Sequence, residues 1–117
     1  MSKDDAQLFA TMEERLYSGV IADVLDDMLG LGHYCMSERI RPVWASARAA
    51  GRAYPILFAD TVRLPEKPYG VEIEALDRTP EGAMVVCSCH WSAEAAVWGE
   101  LLSTLAKVKG GKAAVLD

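Results

Sequence analysis

The order of apolar segments in the second half of the chain limits the folds that it can adopt. Residues 83–89 form a continuous apolar run, which is typical of a strand buried on both faces. Residues 92–108 carry apolar side chains at helical spacing, Gly110-Gly111 ends that helix, and residues 112–116 begin a new buried strand. A strand, a helix and a second strand in this order favour an α/β fold.

The first part of the chain predicts two helices, a strand and a short helix. We expect these elements over residues 4–16, 19–29, 49–59 and 70–76. Ser18 is the predicted cap of the second helix, and Pro55 places the strand at an edge or a bend. The side chains expected to turn the second helix towards a core are Val20, Ile21, Val24, Leu25 and Met28.

Length and charge exclude several classes of protein. The 117 residues suit a single domain over residues 1–117, with an ordinary balance of 51% hydrophobic and 25% charged residues. The net charge of −5 and the lack of a basic stripe argue against a nucleic-acid partner. No apolar run is long enough for a membrane span, and the polar N-terminus is not a signal peptide. Three cysteines without a secretion signal favour the cytoplasm.

The cysteines and histidines raise two possible kinds of site. Cys87 and Cys89, next to His90, are residue types that bind zinc, but no second pair lies at ligand spacing, and we expect the two side chains on opposite faces of a predicted strand. We therefore expect them in the core or at the strand end. His33 and Cys35 lie in a predicted loop without a third orienting group, which is a weak indication of a nucleophile pair.

Other charged clusters have simple interpretations. The aspartates of the second helix, Asp23, Asp26 and Asp27, are expected to be solvated rather than to bind a cation. The lysines near the last helix are Lys107, Lys109 and Lys112, and none of them lies within an apolar run that would lower its pKa.

The start of the last helix is the candidate binding site. Free backbone N–H groups at a helix start bind anions, and ligands of open α/β sheets lie beyond the carboxyl ends of strands. Gly99 would let the backbone approach a ligand closely, or would only let the helix pack against a neighbour. The residues alone favour neither interpretation.

Several segments, taken in order, carry a resemblance to a known family. They are 18–26, 40–43, 51–53, 81–86, Trp98-Gly99-Glu100-Leu101-Leu102 and 111–117. Together they extend over nearly the whole chain and resemble the RraA-like family, which includes the regulator of ribonuclease E activity and 4-hydroxy-4-methyl-2-oxoglutarate aldolases with oxaloacetate decarboxylase activity.

The resemblance implies a swivelling β/β/α three-layer fold and a homotrimer or hexamer. It also implies a class II aldolase that cleaves short 2-oxo acids to pyruvate with Mg²⁺ or Mn²⁺, the metal acting as a Lewis acid. The backbone amides that hold the substrate carboxylate would come from Gly99, Glu100, Leu101 and Leu102.

The resemblance also predicts a gap after Asp117. Family enzymes continue there with Gly-x-x-Arg-Asp, whose Arg stabilises the enolate and whose Asp positions the metal. We therefore expect a C-terminally truncated, N-terminal portion of the domain, inactive or very weak alone. A non-catalytic regulator that binds a partner is the alternative, and an assembly subunit without a site is a third. A methyltransferase is disfavoured, because no Gly-rich turn follows a first strand.

Overall fold

The computed structural model describes residues 1–117, which form two compact units. One contains residues 2–50, and the other contains residues 51–117 together with Met1.

The unit of residues 2–50 is helical. Helix α1 spans Lys3–Arg15, and its N-cap Ser2 accepts the N–H of Asp5 at 3.0 Å. The carboxylate of Glu13 in α1 accepts the N–H of Ala50 at 2.9 Å, which ties the end of this unit to the helix. None of residues 2–50 is buried.

The predicted second helix differs from the structure in three respects. Helix α2 spans Ser18–Asp23 and continues as a π-helical turn over Val24–Met28, where the N–H of Leu29 donates to the carbonyl of Val24 five residues earlier. The prediction that Ser18 caps the helix is wrong, because Ser18 lies inside it and Tyr17 precedes it without a side-chain cap bond. The predicted core face is also wrong in part, since Met28 is 76% exposed.

The unit of residues 51–117 contains a parallel three-stranded sheet in the order β1-β2-β3. The strands are β1, Ala53–Leu57; β2, Met84–Ser88; and β3, Ala113–Leu116. Helix α3, Gly70–Asp77, connects β1 to β2, and helix α4, Glu100–Val108, connects β2 to β3. The α/β prediction is confirmed, whereas the three-layer β/β/α arrangement stays a prediction because the described residues form one sheet.

The core lies between one face of this sheet and the two helices. It is formed by Leu76 of α3, Val85 and Cys87 of β2, and Ala106 of α4. Burial alternates along β2, so the central strand is fully buried on the helix face and half-buried on the other. Pro55 lies in the edge strand β1, as predicted, where a missing N–H is tolerated.

Two glycines end helix α4 at its C-terminus. Gly110 adopts the left-handed region with φ of 84° and donates to the carbonyl of Lys107, while the N–H of Gly111 donates to the carbonyl of Ala106 at 2.8 Å. This pair of bonds is a Schellman motif, and it turns the chain directly into β3. The predicted glycine stop is confirmed.

The predicted beginning of α4 at Ser92 is wrong, because the helix begins at Glu100. Residues 92–99 are irregular, although they include helix-favouring alanines. Ser92 donates from its Oγ to Oδ2 of Asp60 at 2.8 Å, and residues 94–97 line a cavity. These tertiary contacts outweigh the local helical preference.

Candidate functional site

The start of α4 is an uncapped helix end. Gly99, the N-cap residue, is extended with φ of −163° and ψ of −170°, and no side chain caps the first turn. Glu100 and Leu101 are exposed, whereas Leu102 packs against the core. The backbone N–H groups of this first turn have no helical acceptor, so they are available to an anion.

The space around Gly99 distinguishes the two interpretations of this glycine. A Cβ built on Gly99 meets no atom within 4 Å, so no neighbouring element of this chain requires a glycine here. Packing of α4 against such a neighbour therefore does not explain Gly99. The binding role of Gly99, Glu100, Leu101 and Leu102 stays a prediction.

Two side-chain hydrogen bonds, which we call the Trp98–Ser103 bridge, fix the backbone at the start of α4. The indole N–H of Trp98 donates to Oγ of Ser103 at 2.9 Å, and the Ser103 hydroxyl donates to the Gly99 carbonyl at 2.9 Å. The Trp98 ring also packs against the core. The backbone at Gly99 is thus connected to the sheet through a half-buried aromatic ring.

A cavity of about 710 Å³ opens beside the carboxyl ends of β1 and β2, a volume in the range typical of small-molecule sites. Its walls include Phe58, Glu72 and Cys89. Gly99 and the next three residues do not line the cavity. However, residues 94–97 do line it, and because this stretch ends two residues before Gly99, the cavity wall lies within about 7 Å of Gly99. Burial raises the pKa of Glu72 in this wall.

Hydrogen bonds join the carboxyl ends of all three strands. Ser88, the last residue of β2, donates from Oγ to Oδ2 of Asp117 at 2.6 Å, and the N–H of Cys89 donates to Oδ1 at 2.7 Å. These bonds lower the pKa of Asp117 to about 2. The Ser92–Asp60 bond connects the loop after β2 to the residues after β1.

Sequence reasoning missed this network. Its partners lie 28 to 32 residues apart, so no local spacing shows them. The available signal was that Asp117 and Asp60 each follow a predicted strand, because carboxyl ends of parallel strands meet at one edge of a sheet.

Cys87 and Cys89 lie in the core or at the strand end, as predicted, but the expectation that they point to opposite faces is wrong, because residues two positions apart along a strand share one face. Cys87 and Cys89 are buried, and burial, followed by the charges of Glu72 and Asp117, raises the pKa of Cys87 to about 11. A thiol with such a pKa is protonated at neutral pH and is a poor nucleophile or metal ligand. Cys35 is free and exposed, and the neighbouring His33 is also exposed.

The described residues do not fit a metal site. Asp23, Asp26 and Asp27 are all exposed, and no group of three or more His, Cys, Asp or Glu side chains is placed to hold a metal ion. Of the three lysines considered, Lys109 pairs with Asp77 at 2.5 Å and Lys107 is exposed. No helix in the structure has both the length and the apolar character that crossing a bilayer requires.

The sheet, the strand-end cavity and the uncapped helix start define an α/β protein with a candidate anion-binding site at the carboxyl edge of its sheet. The family model described as RraA-like, Aldolase/RraA, matches residues 21–117. The chain therefore belongs to the RraA-like family.

One similar solved structure is described as "Crystal structure of novel cellulases from microbes associated with the gut ecosystem". It shares 26% sequence identity with this chain and superposes with a TM-score of 0.80. The match covers 100% of this chain and 51% of the solved chain, so this chain spans about half of that chain's length. No curated protein matches the sequence significantly.

Proposed function

We propose that this chain carries the carboxylate-binding part of a class II aldolase that cleaves 2-oxo acids of the 4-hydroxy-4-methyl-2-oxoglutarate type to pyruvate and decarboxylates oxaloacetate. The observation that carries the proposal is the open, uncapped first turn of α4, which lies within the segment matched by the family model. A 2-oxo acid presents a carboxylate, the group that such a turn binds.

The contribution of this chain's residues is substrate binding and orientation. The N–H groups of Glu100, Leu101 and Leu102 would hold the carboxylate, and the Trp98–Ser103 bridge would keep the turn in place. Positioned N–H donors reduce the entropy lost in reaching the reactive geometry. We assign no proton transfer to residues 1–117.

A divalent cation, Mg²⁺ or Mn²⁺, belongs to the proposal through the family. When bound, such an ion polarises a keto oxygen and stabilises the developing enolate. The described side chains do not form a ligand set for it. The full metal site would therefore need groups from outside this chain, and we assign no step of the reaction to a metal held by these residues.

The test is pyruvate release from oxaloacetate and from 4-hydroxy-4-methyl-2-oxoglutarate, with Mg²⁺ and with EDTA. It compares this chain with a longer form that is extended beyond Asp117. A protein-free metal control is required because Mg²⁺ alone decarboxylates oxaloacetate. We expect metal-dependent release from the longer form and little or none from this chain, whereas no release from either form would refute the aldolase. Cellulose is an additional substrate to assay, because the similar solved structure is described as one of novel cellulases.

A partner-binding role, as in the regulator of ribonuclease E, is the second candidate. It is favoured by large apolar side chains that residues 2–50 expose, including Val43 at 92%, Trp44 at 64% and Met28 at 76%. Where exposed apolar side chains form a contiguous patch, they mark a surface that contacts other proteins. The same surface would serve the proposed homotrimer or hexamer, which light scattering on the purified protein tests directly.

A further inference from the structure

The loop after β2 surrounds the carboxylate of Asp117 with donors. The Ser88 hydroxyl reaches one carboxylate oxygen at 2.6 Å, and the N–H of Cys89 reaches the other at 2.7 Å. The N–H of Trp91 is a further hydrogen-bond donor to the same carboxylate. A single side chain thus receives hydrogen bonds from residues at three positions of one short loop.

The backbone of this loop is strained. His90 and Trp91 have φ values of 54° and 61°, in the left-handed region that residues with a Cβ rarely adopt. Two such residues in succession persist only where their surroundings compensate. This backbone conformation directs the N–H groups on both sides of His90 at one carboxylate. Convergent N–H groups of this kind form an anion-binding concavity.

We propose that the loop of residues 88–92 is an anion-binding nest that Asp117 fills from within the same chain, which makes Asp117 the positioning residue for the segment between β2 and α4. The carboxylate is charged at neutral pH, because its hydrogen bonds to Ser88 and Cys89 hold its pKa at about 2.

The loop is also held at its far end. Ser92 donates to Asp60 at 2.8 Å, so Asp117 and Asp60 together attach the loop to the residues that follow β3 and β1. The attached chain then runs through residues 93–98 to the start of α4. The effect of the nest on substrate binding rests on the proposed function, whereas the nest itself does not.

The experiment is chemical rescue in the chain of residues 1–117. Asp117→Ala removes the carboxylate and leaves the donors of Cys89 and Trp91 unfilled, so we expect their amide hydrogen exchange, measured by NMR, to accelerate about tenfold or more. Formate is a small carboxylate that fits the vacated position. We expect rising formate to restore slow exchange in a saturable way.

Asp60→Ala is the matched control. It removes the other attachment of the loop, but that attachment is one hydroxyl donor and not a set of convergent N–H groups. Formate should leave the exchange rates of this variant unchanged. If formate slows exchange equally in both variants, it acts as a general salt and the nest is refuted.

Asp117→Asn keeps the inference testable if the alanine variant does not fold. Its amide has nearly the same shape but no charge and only one acceptor oxygen, so the Cys89 and Trp91 amides should exchange faster, and formate should not restore them because the site is still occupied. Unchanged exchange in this variant would overturn the inference. A separate pyruvate titration of the unmodified chain tests the proposed function, and its failure would leave the exchange result standing.

Discussion

A proline at the first residue of α4 tests the candidate site by removing one N–H group. Glu100 is the first helical residue, a position where proline is tolerated because its N–H has no helical acceptor. Gly99 is extended, as the residue before a proline prefers to be. Glu100→Pro should therefore preserve the helix and delete one donor of the proposed carboxylate site.

The expected magnitude follows from the type of hydrogen bond lost. A hydrogen bond to a charged group contributes about 1.5–3 kcal/mol. If the Glu100 N–H contacts the carboxylate, the dissociation constant for pyruvate or oxalate should rise by roughly 10- to 150-fold.

The assay is calorimetric or NMR titration with oxalate and pyruvate. Glu100→Ala is the matched control, because it also lacks the carboxylate of Glu100 but keeps the N–H. This control should bind at least as well as the original protein, since it loses a negative charge near the ligand. Circular dichroism checks that helicity is equal in the two variants. Equal affinities of the proline and alanine variants would refute the assignment of this N–H to the site.

Three further predictions concern stability. Leu76→Ala should lower the free energy of unfolding by about 2–5 kcal/mol, measured by urea titration, because Leu76 is 1% exposed at the centre of the core; a change below that range would show that the core relaxes around the cavity. Gly51→Ala should destabilise by roughly 1–3 kcal/mol, since its Cβ would overlap the carbonyl oxygen of Gly82, whereas Gly99→Ala meets open space and should leave the melting temperature nearly unchanged. The pKa of Asp117 is lowered to about 2 from 3.8, so its stabilising contribution is complete above pH 3.8 and is lost as the pH falls towards 2. Asp117→Asn should flatten that part of a plot of melting temperature against pH, and an unchanged slope would contradict the hydrogen-bonded carboxylate.

The order and type of the helices and strands in residues 51–117 follow from the amino-acid sequence alone. The apolar run of β2, the Gly110-Gly111 stop and the edge position of Pro55 are local features, and each follows from backbone chemistry within a few residues. The buried positions of Cys87 and Cys89 followed equally from their strand. The family resemblance rested on the same short segments and was confirmed over residues 21–117.

By contrast, the beginning of α4 and the connections between the strand ends depend on contacts between residues far apart in the sequence. Residues 92–99 have a helical composition, yet Ser92 bonds to Asp60 and the chain stays irregular until Glu100. The role of Asp117 depends on donors 28 and 29 residues away. Contacts at such separations depend on how the sheet brings its strands together. Side-chain periodicity reports only which face of an element is apolar, and for that reason it could not show them.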